Sequence, residues 1–262
     1  MAYNTQNNKG YIMLKNNSIE KLQKLINSSD NSIQSLQSIF YDMAKELMNN
    51  YEFSIKNIFF ELTEIEFYYF NESKHCDVFT HIHHLQKETN GILYVHESWG
   101  NYGGIDITFG NGDFYGGILI RGIKINSNFI AGPSKVRTEL INTLKENINT
   151  YHELQNFFNE YPLQILKKEP IEYNIYHSTR YNLGKKQDDK FRYALYRFVR
   201  EDYLYEPKGN TFISRNNVKE RSLLKAISSL TLDIKCNEKT TLNKIENNVI
   251  LKKGIESFKV CT

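Results

Sequence analysis

The sequence predicts a single α+β domain, an antiparallel curved β-sheet with a protruding hairpin, flanked by helices. Three observations lead there. A helix-period apolar stripe lies near residue 40. Five short runs rich in Ile, Phe, Tyr and Val follow it, separated by Gly and Asn. No repeat of 20–50 residues is visible. The 262 residues include 18 Tyr and 16 Phe with 24% charged side chains, enough apolar surface for a sizeable core and too much for a disordered or collagen-like chain.

Taken in order, residues 1–30 read as an N-terminal extension and residues 31–206 as the domain. Between Asn31 and Asn49, apolar side chains recur at Ile33, Leu36, Ile39, Phe40, Met43, Ala44 and Leu47, the face of a packed helix that Asp30 or Asn31 can cap. Strand-like runs cover Ile58–Leu62, Ile65–Phe70, Ile92–His96, Ile105–Phe109 and Gly117–Ile123. Leu140–Phe158 reads as helix, Arg192–Arg200 as a strand or short helix, and Asn217–Leu230 as a further helix. Residues 207–262 form a basic C-terminal extension: eleven Lys and Arg against five acids give +6, leaving −3 for residues 1–206 of a chain whose net charge is +3. Such a tail can ride on phosphates or simply be a solvated Lys/Asn-rich surface.

No apolar run approaches the roughly 18 residues of a membrane span. The first ten residues are polar, unlike a signal peptide. Cys76, Cys236 and Cys261 are too few and scattered for a disulfide framework. A cytoplasmic, nucleoid-associated monomer without membrane contact is the expectation.

Three constellations can carry chemistry. His75, Cys76, Asp77, His81, His83 and His84 form a dense polar cluster. Imidazole and thiolate suit zinc, but the spacing fits no two-plus-two ligand pattern, so a polar turn contributing one histidine to a site competes with a metal centre, and no metal or cofactor is assigned. In Thr63–Tyr68, Glu64 and Glu66 alternate with apolar residues, so both carboxylates share one strand face. That face is either the wet one or the lining of a cleft, where one carboxylate becomes a candidate general base. The third is the hairpin from Gly91 to Phe109, whose turn carries Trp99, the single tryptophan, among glycines. It leads to Gly116–Gly122. Asp106 and Arg121 lie there among apolar neighbours, where a charge needs a partner or ligand, and pairing with each other is one solution.

Together these segments resemble the alkyladenine (3-methyladenine) DNA glycosylase family. That family has a strand ending Glu-Thr-Glu-Ala-Tyr, an Asp-x-x-x-His element, a Tyr-Val-Tyr-x-x-Tyr-Gly hairpin with an Asn on its return strand, and a Leu-Ile-Arg-Ala strand. Here Thr63–Tyr68, Asp77-Val-Phe-Thr-His81, Tyr94-Val-His-Glu-Ser-Trp-Gly100, Asp106 and Leu119-Ile-Arg121-Gly occupy those places in order. A weaker echo runs through Gly132-Pro133, Ser178-Thr-Arg180 and Tyr196-Arg-Phe198.

The resemblance implies a monofunctional glycosylase that flips a modified base out of double-stranded DNA and hydrolyses its N-glycosidic bond. Glu66 matches the carboxylate that activates water, and Arg121 the residue holding that water. Tyr68, His81 and His96 match the groups sandwiching the extruded base. Asp106 and Phe67 stand at the positions that shape its pocket. Trp99 matches the aromatic wedge, with Tyr102 on the same tip and Lys135 and Arg137 beyond Gly132-Pro133 as DNA contacts. Arg180, Lys185, Lys186 and Arg192 can line one edge or be solvated charges. No lysine occupies the site motifs, so Schiff-base strand cleavage is not expected.

Three departures bear on the substrate: Asp106 replaces an asparagine, Phe67 a small alanine and His96 a stacking tyrosine. They point to an alkylated or cationic purine, or a guanine adduct, outside the family's usual set. The same departures fit a non-catalytic protein recognising modified DNA on this fold. A third reading is a fold relative acting on small molecules, since the core also serves in formyl-group transferases.

Overall fold

The computed structural model describes residues 17–88, 90–97, 103–181, 183 and 190–204. Helix α1 (Asn17–Ser28) and helix α2 (Ile33–Asn50) precede a curled, half-barrel sheet, making a single α+β domain. Its spine is a pair of long antiparallel strands, β2 (Ile58–Asn71) and β6 (Tyr115–Ile125). On the outer side of β6 come β5 (Ile105–Phe109) and then β4 (Asn90–Val95), with β7 (Asn128–Ala131) beside the far half of β6. The other edge of β2 is shared by β1 (Tyr51–Ile55), β10 (Arg197–Arg200) and the two-residue β3 (His75–Cys76). Strands β8 (Gln164–Lys167) and β9 (Ile175–Ser178) extend β1 and β10.

Strand β2 is covered on both faces. Ile65 and Phe67 point into the apolar core, where Phe67 stacks on Phe40 of α2 with ring centroids 4.4 Å apart. The register carries that layer across the sheet through Phe67, Ile118 and Ile107 to Leu93, each at most 1% exposed. Period two therefore hands the alternate residues, Glu64 and Glu66, to the opposite face. Phe67 thus lines the core and not the polar face, which corrects its assignment to a base pocket.

The helices follow from local chemistry. Ser32 caps α2, its hydroxyl accepting from the Ser35 amide at 3.2 Å, while Asp30 accepts from the Ser32 amide and Asn31 sits at φ +58°. The cap falls one residue later than expected because Asn31 supplies the turn into the helix. The span expected to be one helix is two: α4 (Pro133–Leu144) ends at Lys145 in the left-handed region, and α5 (Tyr151–Glu160) restarts at a Thr150–Glu153 capping box. Two further short helices are α3 (His84–Glu88) and α6 (Glu201–Leu204). The two runs expected as separate strands, Ile58–Leu62 and Ile65–Phe70, are one strand, bent by register shifts between Leu62 and Ile65.

The boundary at residue 30 also moves. Ile19, Leu22 and Ile26 of α1 are fully buried, and the Gln23 amide donates to the carbonyls of Phe109 and Gly110, so α1 belongs to the domain. The Asn217–Leu230 helix, the basic 207–262 segment and the hairpin tip with Trp99 and Tyr102 lie outside the described residues. Among the described residues, no helix is long and apolar enough to cross a membrane.

Removing the ring that joins α2 to the sheet measures this packing. Phe67→Ala is expected to cost about 3–5 kcal/mol, read as a lowered denaturant midpoint. A loss below 1 kcal/mol contradicts the core assignment.

Candidate active site

The polar face is built on one register row. Asp106 on β5 lies opposite Leu119 on β6, Leu119 opposite Glu66 on β2, and Glu66 opposite Arg197 on β10. Directly paired residues share a face, so these four side chains and those two positions along, Tyr68 and Glu64, stand on one surface. Arg121, two residues beyond Leu119 on β6, shares that face without being paired: Ile65 pairs with Ile120 and Glu64 with Gly122, leaving Arg121 as the extra residue of a bulge. A bulge re-aims its side chain, and here it turns Arg121 toward β2. The Gly132 amide holds the bulge from behind by donating to the Arg121 carbonyl at 2.7 Å, at a φ of +103° that favours glycine.

Four buried charges meet at this point. Glu64 accepts from Arg121 Nε at 2.8 Å, from Arg197 Nη2 at 2.6 Å and Nε at 2.9 Å, and from the Tyr203 hydroxyl at 3.2 Å. Glu66 is held more loosely by the guanidiniums, with Arg121 at 3.4 Å and Arg197 at 3.8 Å. Its closer partners are neutral donors, the Tyr181 amide at 2.6 Å and the Tyr68 hydroxyl at 2.9 Å. Burial alone would lower the pKa of Arg121, but Glu66 and Glu64 outweigh it and hold the guanidinium charged. Burial and the Glu66 charge push the Tyr68 phenol well up, so it stays a donor. Glu64 is thus the anchor and Glu66 the carboxylate with the softer shell. The face carrying both is not the wet one: they are 2% and 0% exposed.

Arg121 and Asp106 do not pair with each other, contrary to one sequence expectation. Asp106 registers with Leu119, so Arg121 lies two residues further along and turns to the β2 glutamates. Asp106 is instead bracketed within its own end of the row. His96 Nε2 lies 2.8 Å from Oδ1, and the Gln86 amide of α3 donates to Oδ2 at 2.9 Å. Gly117 makes this possible, since a Cβ there would come within 2.6 Å of both the Gln86 nitrogen and Asp106 Oδ2.

Beyond Asp106 stands an aromatic wall. The His96 ring centroid is 4.4 Å from exposed His81 and 5.4 Å from Tyr94, and Tyr94 stacks on His83 at 4.6 Å. Tyr68, half-buried, rests against the Arg180 guanidinium at 4.6 Å. Arg180 is not a solvated edge charge: it is 3% exposed and paired with Asp77 at 2.5 Å. Its pKa is raised because Asp77 outweighs the burial that would lower it.

The structure thus brings Glu66, Arg121, Tyr68, Asp106, His96 and His81 onto one side of the sheet. It separates two other candidates from it or from the surface. Phe67 faces the core. Arg137 is 6% exposed along the buried side of α4, where burial lowers its pKa, so it is not presented to a surface phosphate; Lys135 on the same helix is exposed. Trp99 and Tyr102, like Lys185 and Lys186, lie outside the described residues. Glu64, Arg197, Tyr203, Tyr181 and Gln86 were not singled out by sequence as site residues, and only the even spacing of Glu64 with Glu66 signalled any of them. An open cleft of about 420 Å³ at the β2–β3 turn is lined by Asn71, Lys74, Lys87 and Tyr115 among others, and by none of the candidates.

The histidine-rich cluster disperses. His75 is 2% exposed; its Nδ1 donates to the Asn31 carbonyl at 3.0 Å and its Nε2 accepts from the Tyr196 hydroxyl at 3.3 Å. Neighbouring Cys76 is exposed, its thiol donating to the Glu72 carbonyl. Successive strand residues face opposite ways, which separates the pair. Among the described residues no group of three or more His, Cys, Asp or Glu is placed to hold a metal ion.

A scan against protein-family models and a search of curated proteins each found no match to this sequence.

Two predictions follow from these charges. Glu64→Gln is expected to cost about 3–5 kcal/mol, because it breaks the close pairs to two buried guanidiniums. Glu66→Gln costs less, since the glutamine oxygen still accepts from the Tyr181 amide and its NH2 can donate to the Tyr68 hydroxyl; denaturation of both variants checks the order. Burial pushes His75 down to about 4 from 6.5. Its folded-state pKa is depressed, so the unfolded chain takes up the proton first and stability falls as pH drops from about 6.5 toward about 4. Between pH 7 and 5 the wild type should lose on the order of 2 kcal/mol relative to His75→Gln.

Proposed function

We propose that the protein is a monofunctional DNA N-glycosylase that flips a modified purine and hydrolyses its glycosidic bond. The observation that carries this reading is the softly held Glu66 carboxylate, flanked by charged Arg121 and set on the same face as Tyr68 and the His81–His96 wall. An attacking water needs an acceptor for its proton beside C1′, and an oxocarbenium-like transition state gains from nearby carboxylate charge. Glu66 supplies both, with Arg121 orienting the water and fixing the carboxylate. The extruded base stacks between Tyr68 and the imidazoles, the arrangement that base-flipping proteins need to read a nucleotide outside the helix. Exposed Lys135 and the basic 207–262 segment supply phosphate contacts. The order of motifs shared with the alkyladenine glycosylases supports the same roles.

One observation favours a recognition module that binds modified DNA without cutting. Glu66 is 0% exposed, with Tyr68 and the Tyr181 amide against its oxygens.

Duplexes carrying alkylated purines, hypoxanthine, ethenoadenine or guanine adducts, followed by alkali cleavage, separate the two. A glycosylase yields abasic product that Glu66→Gln abolishes by at least about a hundredfold while lesion binding persists. Salt-sensitive, lesion-dependent binding without product in the wild type assigns the recognition module. Neither product nor binding overturns both.

A further inference from the structure

We propose that His96 is a second catalytic group, a general acid that protonates the departing base, held for this task by Asp106 and Gln86. The proposal rests on the glycosylase reading above and adds the substrate class: neutral modified purines, which need a proton to leave, as well as cationic ones.

A carboxylate only accepts, so Nε2 of His96 must be the donor in its 2.8 Å contact with Asp106. The Gln86 amide occupies the other oxygen of Asp106, and Gln86 and Asp106 are 0% and 2% exposed. Both oxygens of Asp106 are therefore engaged inside the protein. It is not free to accept from an exocyclic amine of the base, and reading that edge passes to His96. Among the described residues no hydrogen bond engages Nδ1 of His96, and the side chain keeps 12% exposure. An imidazole fixed at one nitrogen by a buried carboxylate, with the other nitrogen open, is the arrangement that orients histidine for proton transfer.

The placement suits the chemistry. Asp106 and Glu66 lie on one register row with Leu119 between them, about 10 Å apart across two strand spacings. Asp106, which holds His96, and Glu66 thus stand at opposite ends of an apolar floor, so that the acid and the base can flank a leaving group between them. In the step itself, water oxygen bonds to C1′ and its proton passes to Glu66. The glycosidic C–N bond breaks with its electron pair going to the base, which takes the proton from Nδ1 of His96. Solvent then returns a proton to His96 and removes one from Glu66. The groups facing His96 are Asp106 on β5, His81 in the loop before α3 and Tyr94 on β4. Next along the chain, Glu97 lies 3.9 Å from His83.

The test compares single-turnover excision of hypoxanthine, a neutral base, with that of 7-methylguanine, a cationic one, from otherwise identical duplexes. His96→Phe keeps a ring in the wall and removes the proton. It is expected to lower the hypoxanthine to 7-methylguanine rate ratio by about a hundredfold. In the wild type the same ratio should fall as pH rises through the range where imidazole loses charge. Asp106→Asn keeps a hydrogen-bond acceptor without the charge and should slow hypoxanthine excision more than that of 7-methylguanine, a selective change that a merely structural contact would not produce. An unchanged ratio in His96→Phe, or a wild-type ratio independent of pH, overturns the role of His96 while leaving Glu66 as the base. Excision of neither base by the wild type, with Glu66→Gln indistinguishable from it, overturns the glycosylase reading and this proposal with it.

Discussion

Two glutamates and two arginines buried at the crossing of β2, β6 and β10 are the constraint on which the rest of the polar face depends. Charges so far from water are tolerated only when each has a close partner of opposite sign and its remaining hydrogen bonds are met. Glu64 is the close partner of both Arg121 and Arg197, and Tyr203 from α6 completes its shell. One carboxylate therefore ties three strands and a helix together. That leaves Glu66 beside the same cations but held at longer range by them, with a phenol and an amide as its nearest donors.

This division of labour is made possible by the sheet carrying two different interiors. On one face Phe67, Ile118, Ile107 and Leu93 continue a single apolar layer under α2. On the other, Glu66, Leu119 and Asp106 follow each other across the strands, apolar only in the middle. The rigid apolar layer fixes where the polar row sits, because a slip of one residue in β2 would exchange the faces and place two carboxylates in the core. Arg121 belongs to that face by alternation from Leu119, and the bulge takes it out of the direct pairing with Glu64 while leaving its guanidinium on the β2 glutamates.

At the two ends of the row the electrostatics differ in kind. The Glu66 end is rich in fixed positive charge from Arg121, Arg180 and Arg197, with aromatic faces of Tyr68 and Tyr181 laid on the guanidiniums. The Asp106 end has a single carboxylate that accepts from the His96 ring at one oxygen and from the Gln86 amide nitrogen at the other.

The amino-acid pattern by itself determined the fold class, the helix over residues 33–50, the positions of most long strands, and the sharing of one strand face by Glu64 and Glu66. These are local matters of period two, period 3.6 and turn chemistry, and they are readable within a dozen residues. What it left open was which face those glutamates occupy, and it wrongly put Phe67 and Arg137 at the site or surface. It also kept open a pairing of Asp106 with Arg121, and it passed over Arg197, Tyr203, Tyr181 and Gln86 as site residues. Those answers depend on strand neighbours more than a hundred residues apart, as when Arg197 comes beside Glu64, and on a bulge that no local pattern announces. Only the tertiary structure could decide them, because a buried charge chooses its partner by proximity in the folded sheet and not by distance along the chain.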